Sequence, residues 1–95
     1  MSHPDFESIH NFHEQPVLAA VSEAASRYPM LSGELLADVA CVALNRLPPR
    51  YIRHAVDLAF YLTDKEREDN ARALADAVTH AFEFVQARVA MRARK

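Results

Sequence analysis

Three arginines and three further side chains suited to nucleotide recognition lie in one short stretch of the chain. They are Arg46, Arg50, Tyr51, Arg53, His54 and Asp57. A guanidinium fork fits a phosphate or the Hoogsteen edge of guanine, a tyrosine ring can stack on a base, and an aspartate can accept from the Watson–Crick edge of guanine. The stretch therefore predicts a nucleotide site. Alternatively, these arginines pair with surface acids and cap the carbonyls of a helix end.

Elsewhere the sequence isolates neither a catalytic nor a metal site. His10 and His13 can share a helical face, but no third ligand has a matching spacing, so we expect solvated histidines and no metal. His80 adjoins an apolar stripe and is expected to be satisfied or exposed. Cys41 lies within an apolar segment, where a cysteine usually behaves as a small buried hydrophobe. A single glycine cannot form a glycine-rich phosphate loop, and we expect no enzyme activity.

The composition indicates one small domain that gains from pairing with a second copy. Ninety-five residues suffice for a single core, with residues 9–86 expected to form it and residues 1–8 and 90–95 expected to be flexible tails. Apolar residues make up 51% of the chain, more than a thin core needs, which favours a homodimer. The net charge of -2 is not that of a general nucleic-acid binder.

The predicted location is the cytoplasm. One cysteine cannot form an intramolecular disulfide, which suits a reducing compartment. The first residues carry neither a basic region nor an apolar run, so no signal peptide is expected. No apolar run approaches the roughly 18–20 residues of a membrane span, and we expect no membrane association.

Prolines and one glycine divide the chain into four segments, and their scarcity favours long helices over a turn-rich β fold. We expect an all-α, mostly helical domain of three to four helices. In the first segment, Asn11 and Glu14 resemble a capping box, and Pro16 then implies either a kink or a later helix start. In the second, Ser32 is the expected N-cap, and Pro48-Pro49 must end a helix apolar enough to be buried on several sides.

The third segment, residues 50–62, has two interpretations. Ile52, Ala55, Val56 and Ala59 have helical spacing, which we favour, whereas apolar residues also alternate as in a strand. A lone strand has no evident partner in this chain and would pair with its symmetry mate across a dimer two-fold axis. In the fourth segment, the capping box of Thr63 and Glu66 opens a helix of roughly 28 residues, about 42 Å long.

The central motif resembles the late competence development protein ComFB family. The likeness rests on residues 38–52, which include Ala43-Leu44-Asn45-Arg46-Leu47-Pro48-Pro49-Arg50-Tyr51 and are similar to the family pattern D-x-x-x-x-A-L-N-x-L-P-P-x-Y. Asn11, Glu14 and Val17 resemble its N-x-x-E-x-x-V opening, and residues 54–57 resemble an H-x-V-D element. The likeness extends over roughly residues 9–86. Asn45, Pro48 and Pro49 also have a structural interpretation, in which Asn45 caps the helix, the prolines fix the turn and Tyr51 anchors it to the core.

The resemblance implies a helical, dimeric bacterial protein, and some members bind cyclic dinucleotides, cyclic di-GMP in particular. Other members carry cysteines near the start of the central helix that bind structural zinc. At the corresponding positions this chain has Ser32 and Leu35, so no zinc or other cofactor is expected.

Two functional hypotheses follow. The first is a dimeric cyclic-dinucleotide receptor that relays binding to an unknown protein partner. The second is a ligand-free interaction or structural dimerisation module that binds its partner through the long last helix or through the apolar surface around Phe82 and Val85. Nucleic-acid binding by the basic tail, residues 88–95, is disfavoured because four cations at a helix end give weak, non-specific affinity.

Overall fold

A computed structural model describes residues 3–93, and this part of the chain is mostly helical. Its helices are α1 (Glu14–Ala24), α2 (Gly33–Arg46), α3 (Ala55–Tyr61) and α4 (Asp64–Ala93), with 3₁₀ turns at Phe6–Ser8 and Ala25–Arg27. The predicted domain of three to four helices is confirmed. None of the helices described is long and apolar enough to cross a membrane. Arg94 and Lys95 of the predicted basic tail, and residues 1–2 of the other tail, lie outside the described residues.

Helix α1 begins later than the Asn11–Glu14 spacing predicts. Its first residue is Glu14, and His13 occupies the N-cap position without a side-chain capping bond. Pro16 therefore lies in the first turn, where backbone N–H groups have no intrahelical partner and a proline removes no helix hydrogen bond. The predicted capping box at Asn11 is wrong, and the later start is the alternative that the chain adopts.

The other two long helices begin where their capping residues predict. Ser32 Oγ accepts a hydrogen bond from the N–H of Leu35 at 3.3 Å, and Thr63 Oγ1 accepts one from the N–H of Glu66 at 3.1 Å. Helix α2 ends at Arg46, because extended backbone at Leu47 leads into the two prolines. Side-chain caps and proline stops act within one helical turn, which is why the sequence alone locates these ends.

The core lies where α1, α2 and α4 pack together. Its largest fully buried side chains are Phe82, Val17 and Val39, and the Phe82 ring stacks on Tyr28 with centroids 4.3 Å apart. Helix α2 is less enclosed than its composition suggests, because Cys41 is exposed. The prediction that Cys41 is a buried hydrophobe is wrong: α1 and α4 cover only part of the helix surface.

Residues 50–62 contain both a short strand and a helix. Strand β2 (Tyr51–Ile52) pairs antiparallel with β1 (His10–Asn11) of the same chain, so the alternative of a strand that pairs across a dimer axis is wrong. Helix α3 follows and confirms the favoured interpretation for that part. Its buried residue is Leu58, followed by Leu62 one turn later, whereas Val56 is 63% exposed. The short helix thus turns a different face inward from the one that the spacing indicated.

Candidate functional site

The turn formed by Pro48, Pro49 and Arg50 is fastened to the start of α1 by Asn11. The Asn11 side-chain oxygen accepts hydrogen bonds from the backbone N–H of Arg50 at 3.0 Å and from that of His13 at 3.3 Å. The N–H of Phe12 donates to the carbonyl of Arg50 at 2.7 Å. These bonds connect segments far apart in sequence and fix the backbone of Arg50, from which its side chain extends.

His13 is the buried polar residue of this junction and is 8% exposed. Burial lowers the pKa of His13 below its ordinary 6.5, the nearby positive charge of Arg50 lowers it further, and the Pro48 backbone opposes both effects by favouring the protonated ring. The expectation of a solvated His13 is wrong. Since the ring is neutral near pH 7, the positive charge at this junction comes from Arg50.

Two adjoining grooves share His13 and Asn70, and together we call them the His13 recess. One groove, of about 290 Å³, lies beneath the proline turn and is lined by His13, Leu47, Pro48, Pro49, Arg50, Asn70 and Ala73. The other, of about 190 Å³, is lined by Phe12, His13, Pro16, Leu62, Arg67, Asn70, Ala71 and Leu74. The recess therefore combines apolar walls with an imidazole, an amide and two guanidinium groups, a mixture typical of small-molecule sites.

Of these two guanidinium groups, Arg50 is the one without a partner among residues 3–93. Arg67 donates to Asp64 Oδ1 at 3.0 Å and to the carbonyl of Ala59 at 2.8 Å, and so ties α3 to α4. No side-chain hydrogen bond or ion pair within the described chain involves the guanidinium of Arg50, which is exposed. An anion in the recess could therefore pair with Arg50 without displacing any side-chain contact within the described residues.

The residues predicted to contact a nucleotide lie in different local environments. Tyr51 is 68% exposed, so the alternative in which its ring anchors the turn to the core is wrong. Arg53 donates from Nε to Ser8 Oγ at 3.0 Å and pairs with Asp5 at 3.5 Å. His54 is the N-cap residue of α3, with Asp57 in the first turn, and both are exposed.

Arg46 points to a different neighbour. Its Nη1 lies 3.4 Å from Nε2 of His80 on α4. The polar contacts of the three arginines therefore do not converge: Arg46 meets α4, Arg53 meets the N-terminal segment, and Arg50 stands at the recess. Whether these residues bind a ligand stays a prediction.

Three residues of the junction were missed by sequence reasoning as site residues. Asn11 was noticed as a helix cap and as part of the family's opening motif, and His13 as a surface histidine. Asn70 gave no signal because it lies within a long polar stretch of α4. Of these three residues, Asn11 is the one whose role the sequence could have indicated. The side chain of an asparagine three positions before a glutamate can form hydrogen bonds with backbone groups other than those of the next helix.

A zinc site of the kind described for other members does not fit the residues present. At the corresponding positions, Ser32 uses its hydroxyl to cap α2, and Leu35 has no ligand atom and packs against the core. Within residues 3–93, no group of three or more His, Cys, Asp and Glu side chains is arranged to hold a metal ion.

Comparison with known proteins gives one match. The model of the family described as late competence development protein ComFB matches residues 10–89, most of the chain. No curated protein and no solved structure matches.

Proposed function

This chain belongs to the late competence development protein ComFB family, and from that membership we propose that it is a non-catalytic receptor for a cyclic dinucleotide, with cyclic di-GMP as first candidate. The family resemblance seen in the sequence motifs is thereby confirmed, and membership suggests a competence-related signalling or binding module. The proposal adds the ligand, the site and a role in relaying ligand binding to a protein partner.

The proposal rests on the arrangement of Arg50 and Tyr51. The backbone of Arg50 is fixed by Asn11, whereas its guanidinium has no partner within the described chain. The adjacent ring of Tyr51 is 68% exposed. A preorganised backbone that carries an unpaired cation and, at the next residue, an exposed aromatic ring suits a ligand with a phosphate and a base.

The neighbouring groups supply further contacts. Asp57 can accept from a guanine edge, and His54 and Arg53 lie in the same loop and helix start. Arg53 would have to exchange its contacts with Ser8 and Asp5 for a ligand phosphate, whereas Arg50 gives up no such contact. We therefore propose Arg50 as the principal phosphate contact and Arg53 as the secondary one.

A relay follows from the position of Arg50. Its backbone is bonded to Asn11 and Phe12, directly before α1. A ligand that draws the Arg50 loop towards itself would bias the junction at the start of α1 and alter the surface offered to a partner.

The alternative is a protein-interaction module without a ligand. Phe82 and Val85 are buried in the core, so the apolar surface predicted around them is wrong. Three large side chains on α3 favour this alternative instead, since Val56, Phe60 and Tyr61 are 63%, 83% and 79% exposed. Such a cluster is typical of a surface that another protein covers.

Isothermal titration with cyclic di-GMP, cyclic di-AMP and GMP tests the proposal. We expect saturable binding of a cyclic dinucleotide with a dissociation constant of micromolar or tighter. Arg50→Ala should weaken it at least about tenfold, as loss of a charged hydrogen bond would. Arg72→Ala, which removes an exposed arginine of α4 that does not line the recess, is the matched control. No heat with either cyclic dinucleotide, on folded protein, would refute the receptor and leave the interaction module.

A further inference from the structure

A second groove runs between α2 and α4, and it shares no lining residue with the His13 recess. Its apolar walls are formed by Leu35 and Val42 from α2 and by Val85 and Val89 from α4, and its volume is about 200 Å³. We call it the α2–α4 groove. Phe84 on its edge is 43% exposed, and the single cysteine, Cys41, also lines it.

Cations dominate the charged residues of this groove. Arg88 and Arg92 line it, one helical turn apart on α4, and Asp38 is the one acid in the lining. Arg46 adds a third cation near His80. Within residues 3–93, none of these four charged groups forms an ion pair, although Asp38 shares the groove with two arginines.

Aromatic rings, rather than carboxylates, contact two of these arginines, Arg46 and Arg88. From Arg46, a column of side chains follows α4 at intervals of four residues: His80 contacts Arg46, the His80 and Phe84 rings lie 6.0 Å apart, and the Arg88 guanidinium lies 5.9 Å from the Phe84 centroid. Contact with a ring orients a guanidinium without neutralising it. The groove thus has an apolar floor and a rim on which arginines outnumber the single acid, Asp38, and form no ion pair within the described chain.

We propose that the α2–α4 groove binds an acidic amphipathic helix of a partner protein. The apolar stripe of that helix would occupy the groove, and its flanking carboxylates would meet Arg88, Arg92 and Arg46. The stretch from His80 to Arg92 contains thirteen residues of α4 and is about 18 Å long, which corresponds to roughly three turns of a bound helix. A groove between two packed helices is a common receptor for such a ligand.

Charge argues against a second copy of this chain as the occupant. In a two-fold symmetric contact the same patch faces itself, so two patches in which arginines outnumber acids would be brought together. Like charges placed opposite one another disfavour such a contact. An acidic helix neutralises the same rim.

The test uses two labelled helical peptides of roughly 14 residues, long enough to span the groove. Both carry leucines at alternating three- and four-residue spacing; one is flanked by glutamates, the other by lysines. We expect the glutamate peptide to bind the intact chain with micromolar affinity in fluorescence anisotropy, and to slow alkylation of Cys41, which lies in the groove. The lysine peptide should bind at least about tenfold more weakly.

Charge reversal makes the test specific. The double variant Arg88→Glu with Arg92→Glu should exchange the preference, so that the lysine peptide becomes the better ligand, whereas Arg72→Glu on the same helix should leave the preference unchanged. Circular dichroism verifies that each variant is folded. Equal binding of the two peptides, no binding of either, or unchanged Cys41 alkylation would overturn the proposal. So would sedimentation showing that Phe84→Glu converts a dimer of the native chain into monomers, because a second copy would then occupy the groove.

Discussion

The side-chain oxygen of Asn11 accepts a hydrogen bond from the backbone N–H of Arg50 at 3.0 Å, although 39 positions separate the two residues in the chain. The same oxygen accepts from the N–H of His13. One side chain therefore serves two backbone donors and connects the proline turn to the beginning of α1.

Removing this acceptor should loosen the turn. We expect Asn11→Ala to lower the free energy of unfolding by about 1–3 kcal/mol, because two backbone donors lose their partner. Asn11→Asp keeps an acceptor oxygen near the positive charge of Arg50 and should retain most of the stability. Urea denaturation of both variants measures the difference; similar losses in the two would show that the acceptor contributes little.

Stability should fall as the pH decreases below about 6.5 because of His13. Its pKa is lowered in the folded chain, so between the folded pKa and the unfolded pKa the unfolded chain binds more protons. The stability that the chain owes to a neutral His13 is fully present above pH 6.5, and it is lost as the pH falls towards the folded pKa. Urea denaturation between about pH 7.5 and 5 should show that the free energy of unfolding decreases less in His13→Gln than in the native chain. His3→Gln, at an exposed histidine, is the control and should behave like the native chain.

The ring of Tyr51 should matter for ligand binding and not for folding. If it stacks on a base, Tyr51→Ala should weaken cyclic dinucleotide binding by about 1–3 kcal/mol, whereas Tyr51→Phe should keep most of it. Because the side chain is 68% exposed, both variants should unfold within about 0.5 kcal/mol of the native chain. Calorimetric titration measures the ligand affinity, and urea denaturation measures the free energy of unfolding. Equal binding by the alanine and phenylalanine variants would exclude stacking.

Two phenylalanines should differ sharply in their effect on stability. Phe82 is 1% exposed and stacks on Tyr28, so Phe82→Ala should cost about 3–5 kcal/mol, enough to unfold much of so small a domain. The milder Phe82→Leu should remain folded with a loss of about 1–2 kcal/mol. Phe60 is 83% exposed, and Phe60→Ala should change the free energy of unfolding by less than about 0.5 kcal/mol. A large loss at Phe60 would mean that a partner or second copy buries α3 in solution.

The sequence by itself determined the helical class and most helix ends. Ser32 and Thr63 cap their helices as predicted, and the two prolines end α2. The family was recognised from residues in and around the proline motif, and the family match confirms it. These features depend on neighbours within one or two turns, so a local pattern contains the information.

Only the tertiary structure decided where the motif residues point. It paired β2 with β1 of the same chain, buried His13 beneath the proline turn, exposed Tyr51 and Cys41, and turned Arg46 towards His80 rather than towards Arg50. Each of these outcomes depends on contacts between segments distant in sequence. Periodicity identifies an apolar face, but it does not say which other element covers that face or how far the cover extends.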